Sequence, residues 1–460
     1  MNNLASTIVA VSTPPGKGGV ALIRLSGPDA RAIASRVFIP RSKKRLSDYP
    51  DRYAVYGDVV SAGEVLDDGI ATVFSAPHSY TGEDTVEVTC HGGILVTRSV
   101  LLSFLSAGAQ MATAGEFTRR AVINGSLRLS EAEAIATLLD AESDAQMRLS
   151  STASRTRLSS AVDAIRQEMV SVMASLYAAI DYPDEDLASL SSEEMLSRLT
   201  AIDEKLLRLA ATYKTGRAIT DGVKTAIIGK PNVGKSSLYN ALSGEDLAIV
   251  TDISGTTRDV LSAKVAVGRV MLSLSDTAGL RETDDTVERL GVERSRKALS
   301  DAELVLAVFD GASPLDEEDR AVLSLLENST AVKIAILNKS DKIQNADTEK
   351  VIRSTFTECV SLSAKGGDTA CLSALLDRLF TDGELTVGED AILSSARQHA
   401  SLIRAEKFLH NAMEALQSGF PEDAVSGDLS LAIGAIGELD GREVSEEVVS
   451  EIFSHFCVGK

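Results

Sequence analysis

Two glycines, a lysine and a serine in the run Gly229-Lys230-Pro231-Asn232-Val233-Gly234-Lys235-Ser236 stand at the spacing of a phosphate-binding P-loop. Glycines let successive backbone N–H groups turn inward around an anion, and the helix that follows presents its positive dipole end to it. In such a loop Lys235 reaches the terminal phosphates and Ser236 supplies an oxygen to Mg²⁺, with Asn232, Val233, Gly234 and Ser237 lining the nucleotide. The context agrees, because the strand-like run Val223–Ile228 precedes the loop and a helical run from Ser237 to Leu242 follows it.

Three further runs name the base. Asp276-Thr277-Ala278-Gly279 closes the apolar run Val270–Leu274, which places a carboxylate beside the Mg²⁺ shell and a glycine amide near the γ-phosphate. Asn338-Lys339-Ser340-Asp341 follows the apolar run Val332–Leu337 and has the NKxD pattern, in which the aspartate accepts from the two N–H groups of guanine. Adenine lacks that donor pair, so the pattern points to GTP. Ser363-Ala364-Lys365 is similar to the SAK element that supports the base. Between loop and DTAG lies Thr251-Asp252-Ile253-Ser254-Gly255-Thr256-Thr257, which fits a nucleotide-dependent switch whose Thr257 meets Mg²⁺ only while the γ-phosphate is present. Leu280 stands where small signalling GTPases carry a water-orienting glutamine, and leucine cannot do that work. The acids Glu282, Asp284, Asp285 and Glu288 follow it as candidates, which spacing does not rank.

The elements around this chemistry divide the 460 residues into four expected segments. Residues 1–120 alternate strand-like runs such as Ile8–Val11 and Val20–Leu25 with glycine turns, which predicts an N-terminal α/β domain. Ser130-Glu131-Ala132-Glu133 has capping-box spacing and opens a helical stretch that continues to Asp181-Tyr182-Pro183-Asp184. A further helical stretch through Glu204–Leu209 ends near Gly216 and completes a helical segment over 121–215. The nucleotide segment occupies 216–383, and helical signal resumes within 384–460, from Ala391 through Leu416 and again from Ser445. The fold class expected is therefore multidomain α/β plus all-α, with a Ras-like P-loop G domain inserted into a helical domain.

A formal charge of −20 argues against a broad basic surface for non-specific nucleic-acid binding. The four cysteines, Cys90, Cys359, Cys371 and Cys457, show neither CxxC nor metal-like spacing, so no disulfide framework or zinc site is expected. Cys90 beside His91 reads as structural. No apolar run approaches the roughly 20 residues of a membrane span, and the first residues lack the regions of a signal peptide, which gives a cytoplasmic expectation.

The terminus Phe456-Cys457-Val458-Gly459-Lys460, the inserted GTPase and the N-terminal sequence together resemble the MnmE (TrmE) family of tRNA-modification GTPases, end to end. Supporting runs are Thr13–Val20, Ser79-Tyr80-Thr81-Gly82-Glu83-Asp84, His91-Gly92-Gly93, Gly115–Ala121 and Asp276–Glu282. The resemblance implies a homodimer joined through the N-terminal domains that forms a heterotetramer with MnmG (GidA), the partner that alone carries FAD, and acts on tRNA, with no membrane or DNA role. Such complexes install an aminomethyl-type group, commonly carboxymethylaminomethyl, on carbon five of the wobble uridine. The one-carbon unit comes from a tetrahydrofolate derivative in the 5-formyl or 5,10-methylene form.

Carried over by residue, the folate contacts fall on Arg24, Glu87 and Lys460. Without the family these read as a surface salt-bridge partner, a strand-edge carboxylate and a solvated terminus. A further family lysine aligns with Ser126, which cannot replace a cation, while Arg128 lies two positions on. The resemblance also implies a functional Cys457, Glu288 as the carboxylate that orients water, and K⁺ held by groups matching Asn232, Thr251, Ile253 and Thr256. Cys457 otherwise reads as a small apolar residue packing the chain end. Two other readings share every G-domain motif: a regulatory GTPase in ribosome or RNA assembly without folate chemistry, and a dimer in which GTP only regulates assembly. The first usually carries an RNA-binding domain after its G domain, whereas this chain continues in helices.

Overall fold

A computed structural model describes residues 6–42, 44–181, 191–243, 263–274 and 299–441, together with 452, 453, 456 and 459. The chain divides into two compact units, one formed by residues 1–136 and 436–460 and the other by 137–435.

The first unit is built on a sheet of seven strands, β1 (Ile8–Val11), β2 (Val20–Ser26), β3 (Phe38–Pro40), β4 (Ala54–Ser61), β5 (Glu64–Phe74), β6 (Thr85–His91) and β7 (Gln110–Met111), in the order β3-β4-β5-β6-β2-β1-β7. Along β2 the residues alternate, so Ala21, Ile23 and Leu25 are buried while Leu22 and Arg24 face the opposite side. Helices α1 (Ala30–Val37) and α2 (Ile94–Ser106) cover the first face, and Val9, Phe38, Val86, Val88 and Phe104 fill the core between. On the other side of β1, Phe117 from α3 (Glu116–Ile123) packs on Ile8 and Ala10. The end of the chain returns to this unit: Phe453 and Phe456 pack on Leu129 and Ala132, and Ser12 Oγ donates to the Gly459 carbonyl at 2.9 Å. Gly115, at φ 64°, permits that approach, since a side chain there would meet the Phe453 carbonyl at 2.8 Å.

The expected helical stretch from Ser130 to Asp181 comprises three helices, α4 (Leu129–Leu139), α5 (Asp144–Leu149) and α6 (Thr152–Asp181). Ser143 caps α5 by accepting from Gln146 N, and that local bond stops the preceding helix from running on. Ser130 is not a cap. The helix starts one residue earlier, Glu131 accepts from Arg128 N at 2.9 Å, and Ser130 Oγ donates to buried Asp440.

In the second unit α7 (Ser192–Ala211) begins with a capping box, Ser191 and Glu194. α8 (Tyr213–Thr220) runs straight through Gly216, where the helical stretch was expected to end. Six strands follow: β8 (Val223–Ile228), β9 (Ala263–Val267), β10 (Val270–Leu274), β11 (Leu304–Asp310), β12 (Val332–Asn338) and β13 (Glu358–Ser361). They form one sheet in the order β13-β12-β11-β8-β10-β9, parallel except for the antiparallel β9–β10 pair. The central strands are buried on both faces, which is why they read as unbroken apolar runs and not as alternation. α9 (Lys235–Ser243), α10 (Glu317–Glu327), α11 (Ala346–Thr355) and α12 (Ala370–Phe380) belong to this α/β body, and α13 (Ala396–Gln417) and α14 (Glu422–Asp440) follow it. Sequence reading did not anticipate α14. Among the described residues no helix is long and apolar enough to cross a membrane.

Candidate nucleotide site and N-terminal cluster

The loop between β8 and α9 leaves the carboxyl end of a central strand, the position where open α/β sheets bind ligands. Asn232 and Gly234 hold φ of 63° and 103°, so the backbone curls before the helix begins. Lys235 Nζ donates to the loop's own Gly229 and Lys230 carbonyls, at 2.8 Å each, and burial lowers its pKa. Ser236 and Ser237 are exposed in the first turn of α9. Gly234 tolerates no side chain: a Cβ would sit 2.1 Å from Asn338 Nδ2, at a φ that L residues rarely adopt. Gly234→Ala is therefore expected to weaken GTP binding by about 10-fold or more, the equivalent of one displaced hydrogen-bonding group, as read by titration with a fluorescent guanine nucleotide. Unchanged affinity would mean that the loop does not need this curl.

Asn338 ties the base-reading segment to that loop. Its buried amide donates from Nδ2 to the Val233 carbonyl at 2.7 Å and accepts at Oδ1 from Ala364 N at 2.9 Å. Lys339, itself at φ 64°, reaches back to the Asn232 carbonyl at 3.1 Å. Ser363 Oγ donates to Asp341 Oδ1 at 2.6 Å, which holds this exposed carboxyl below its ordinary pKa, and Lys365, two positions after Ser363, is exposed. The fold thus gathers Asn232, Val233, Gly234, Lys235, Asn338, Lys339, Asp341, Ser363 and Ala364 at the carboxyl ends of parallel strands β8, β12 and β13. Thr251, Ile253, Ser254, Gly255, Thr256, Thr257, Asp276, Thr277, Ala278, Gly279, Glu288, Cys457 and Lys460 lie outside the described residues.

Sequence reasoning missed two supports of the loop. Lys230 Nζ donates to Asp316 and Asp319 at 2.6 Å each, and these two acids form the capping box of α10. Asp310 Oδ2 accepts from Lys339 Nζ at 2.7 Å. Its signal was present: Asp310 ends the apolar run Leu304–Phe309, at the ligand-facing end of a parallel strand.

In the first unit Arg24 and Glu87 sit opposite each other on β2 and β6 and pair at 2.8 Å. The Arg24 guanidinium lies 5.3 Å from the Tyr80 ring centre and 5.7 Å from that of Phe117, a cation–π arrangement. With side chains 16% and 24% exposed, the pair is half-enclosed and not a surface salt bridge. In the same unit, fully buried Arg120 donates to the Glu83 carboxylate, to Glu116 Oε1 at 2.9 Å and to the Ser6 carbonyl at 2.8 Å. Gly82, at φ 75°, leaves space for Ser126, whose Oγ a side chain at 82 would approach to 2.7 Å. Arg128 does not stand in for the missing cation, because its NH1 is held by Asp440 Oδ2 at 2.9 Å. Burial, with the Asp67 charge, pushes the Cys90 thiol up to about 11, the signature of a structural cysteine.

Comparison with known proteins decides the family. The MnmE helical domain profile matches residues 129–457, and that of the GTP-binding protein TrmE N-terminus matches 7–126. The tRNA modification GTPase MnmE of Thermotoga maritima is 40% identical over 99% of this chain and 100% of its own, and that of Lactobacillus delbrueckii subsp. bulgaricus is 39% identical over 99% and 98%. The chain belongs to the MnmE family. As such it is a GTPase of tRNA modification, with an N-terminal TrmE-type α/β domain, a helical domain and a G domain that binds GTP. Among solved structures, the G domain of the T. maritima FeoB iron transporter is 27% identical over 34% of this chain and 95% of that one, with a TM-score of 0.25.

Proposed function

We propose that this MnmE-family protein couples K⁺-stimulated GTP hydrolysis to installation, with an FAD-containing MnmG-type partner, of an aminomethyl-type group on carbon five of the wobble uridine of tRNA. The observation that carries the reading is the preformed Arg24–Glu87 pair under Tyr80 and Phe117, in the same chain as a guanine-type nucleotide loop. A regulatory switch in RNA assembly needs the loop and has no use for the pair.

In this reading residues 1–120 form the dimerisation and folate-binding domain, 121–215 and 384–460 the helical domain, and 216–383 the G domain. Arg24, Glu87 and Lys460 hold a tetrahydrofolate derivative, which supplies the one-carbon unit when bound. The half-enclosed cation and carboxylate suit a ligand with both an anionic and an N–H-bearing part. Ser126 brings no cation to the position where the family resemblance implies one, and Arg128, spent on Asp440, leaves the folate with less charge support. Ser236, exposed at the start of α9, together with Thr257 offers hard oxygen ligands suited to Mg²⁺. Asn232, at φ 63° in the loop, together with the Thr251, Ile253 and Thr256 groups would hold K⁺, which would supply positive charge to offset that developing on the phosphates. Glu288 orients water, and Cys457 serves the modification chemistry. The protein works in the cytoplasm as a homodimer.

Mass spectrometry of wobble uridines tests the reading, using tRNA from cells that lack the gene and carry either the natural chain or Cys457→Ser. Loss of the modified uridine on deletion and its return only with the natural chain are expected; unchanged uridines on deletion would favour the regulatory switch. GTP turnover is expected to be at least about 10-fold faster in K⁺ than in Na⁺. Glu288→Ala should keep GTP affinity while turnover falls by about 100-fold or more. Equal rates in the two salts would remove the cation, and preserved turnover would pass the water-orienting role to another acid.

A further inference from the structure

Two left-handed residues stand where the two loops meet, Asn232 in the P-loop at φ 63° and Lys339 in the base-reading loop at φ 64°. A single ammonium joins them: Lys339 Nζ donates to the Asn232 carbonyl at 3.1 Å and to Asp310 Oδ2 at 2.7 Å. The acceptor is fixed in turn, because Asp310 also accepts from Ala312 N at 3.0 Å and from Ser313 Oγ at 3.3 Å. Around it, Gly311 N donates to the Asn338 carbonyl at 3.0 Å, and Gln344 Nε2 donates to that of Lys339 at 2.9 Å. Burial alone would raise the Asp310 pKa, yet the Lys339 ammonium and these donors hold it below the usual carboxylate value, so the acceptor stays charged.

We propose that Asp310 is a positioning residue for GTP: at the end of β11 it aims the Lys339 ammonium at the Asn232 carbonyl, so that one carboxylate sets the spacing of the phosphate loop and the guanine-reading loop together. The inference rests on this pocket being the GTP site. A lysine without its carboxylate would swing among rotamers, and both left-handed turns would lose their shared partner. Because Asp310 acts through Lys339, its removal weakens ground-state binding and leaves the hydrolytic step alone.

The test uses the full-length protein, with nucleotide dissociation constants for GDP and a non-hydrolysable GTP analogue measured on the natural chain, Asp310→Asn, Asp310→Ala, Lys339→Ala and the Asp310→Ala/Lys339→Ala pair. Asp310→Ala is expected to weaken both nucleotides by about 10-fold to 100-fold, the range for losing a charge-assisted bond. Asp310→Asn, which keeps the acceptor and loses the charge, should fall in between. Turnover should show a raised KM with kcat preserved. The deciding result is non-additivity: with Lys339 already removed, Asp310→Ala should change affinity by less than about two-fold. Additive losses, or unchanged affinity in the single variants, would overturn the proposal. Lys235→Ala in the same assay separates the two readings: if it binds GTP as the natural chain does, the site assignment fails, whatever Asp310 does.

Discussion

Lys235→Ala is expected to abolish measurable GTP turnover and to weaken GTP binding by at least about 100-fold. The half-buried ammonium bridges the Gly229 and Lys230 carbonyls, 2.8 Å from each. Burial lowers its pKa because a cation is poorly solvated there, so an anion brought to it is held strongly. Phosphate oxygens answer that deficit, and the same donors that now bridge the loop can turn to them. Truncation removes the charge from a desolvated pocket and leaves the phosphates unpaired, a loss of roughly 3 kcal/mol or more, which converts to about 100-fold in affinity. Titration with a fluorescent GTP analogue measures it, alongside thermal unfolding without nucleotide to show that the fold persists. A change below ten-fold would mean that the phosphates sit elsewhere.

Legibility in the sequence followed the range of the interactions. The P-loop, the NKxD run and their flanking strands were readable because the chemistry and the burial are local. Val223–Ile228, Val270–Leu274 and Val332–Leu337 are short apolar runs ending in polar motifs, and they form β8, β10 and β12. Long-range pairings were not readable. Arg128 stood two residues from the missing lysine and looked available until Asp440, 312 positions away, claimed it. Ser130 had the spacing of a cap, yet the same Asp440 takes its hydroxyl and the helix starts at Leu129. α14 was hidden by Gly427, Gly434 and Gly437, which lower helix propensity. Val425, Leu429, Ala432, Ile436 and Leu439, spaced four and three apart, bury one face and override it.

Gly216 shows the same point most sharply and carries the second large prediction. Glycine near the end of a helical run suggests a stop, but here α8 continues for four more residues and the glycine serves a close approach. A Cβ on Gly216 would lie 1.8 Å from the Leu393 carbonyl oxygen and 2.7 Å from its carbon. Backbone cannot move aside as a side-chain tip can, and this backbone is anchored. Leu393 N donates to Thr212 Oγ1 at 3.0 Å, Asp382 N to Thr215 Oγ1 at 2.9 Å, and Thr220 Oγ1 to the Ser394 carbonyl at 3.2 Å. The segment leading into β8 and the segment leaving α12 are therefore stapled side by side. Gly216→Ala should destabilise the protein by about 3 kcal/mol despite alanine's helix propensity, lowering the melting temperature by about 5–10 °C. Gly427→Ala in α14 is the control, because nothing lies within 4 Å of its Cβ position. That change should be neutral or stabilise by up to about 1 kcal/mol. Calorimetry on both variants separates the explanations: equal melting temperatures would show that the segments around α8 and Leu393 yield freely, whereas the expected gap shows that the stapled backbone around Leu393 holds its place against the added methyl.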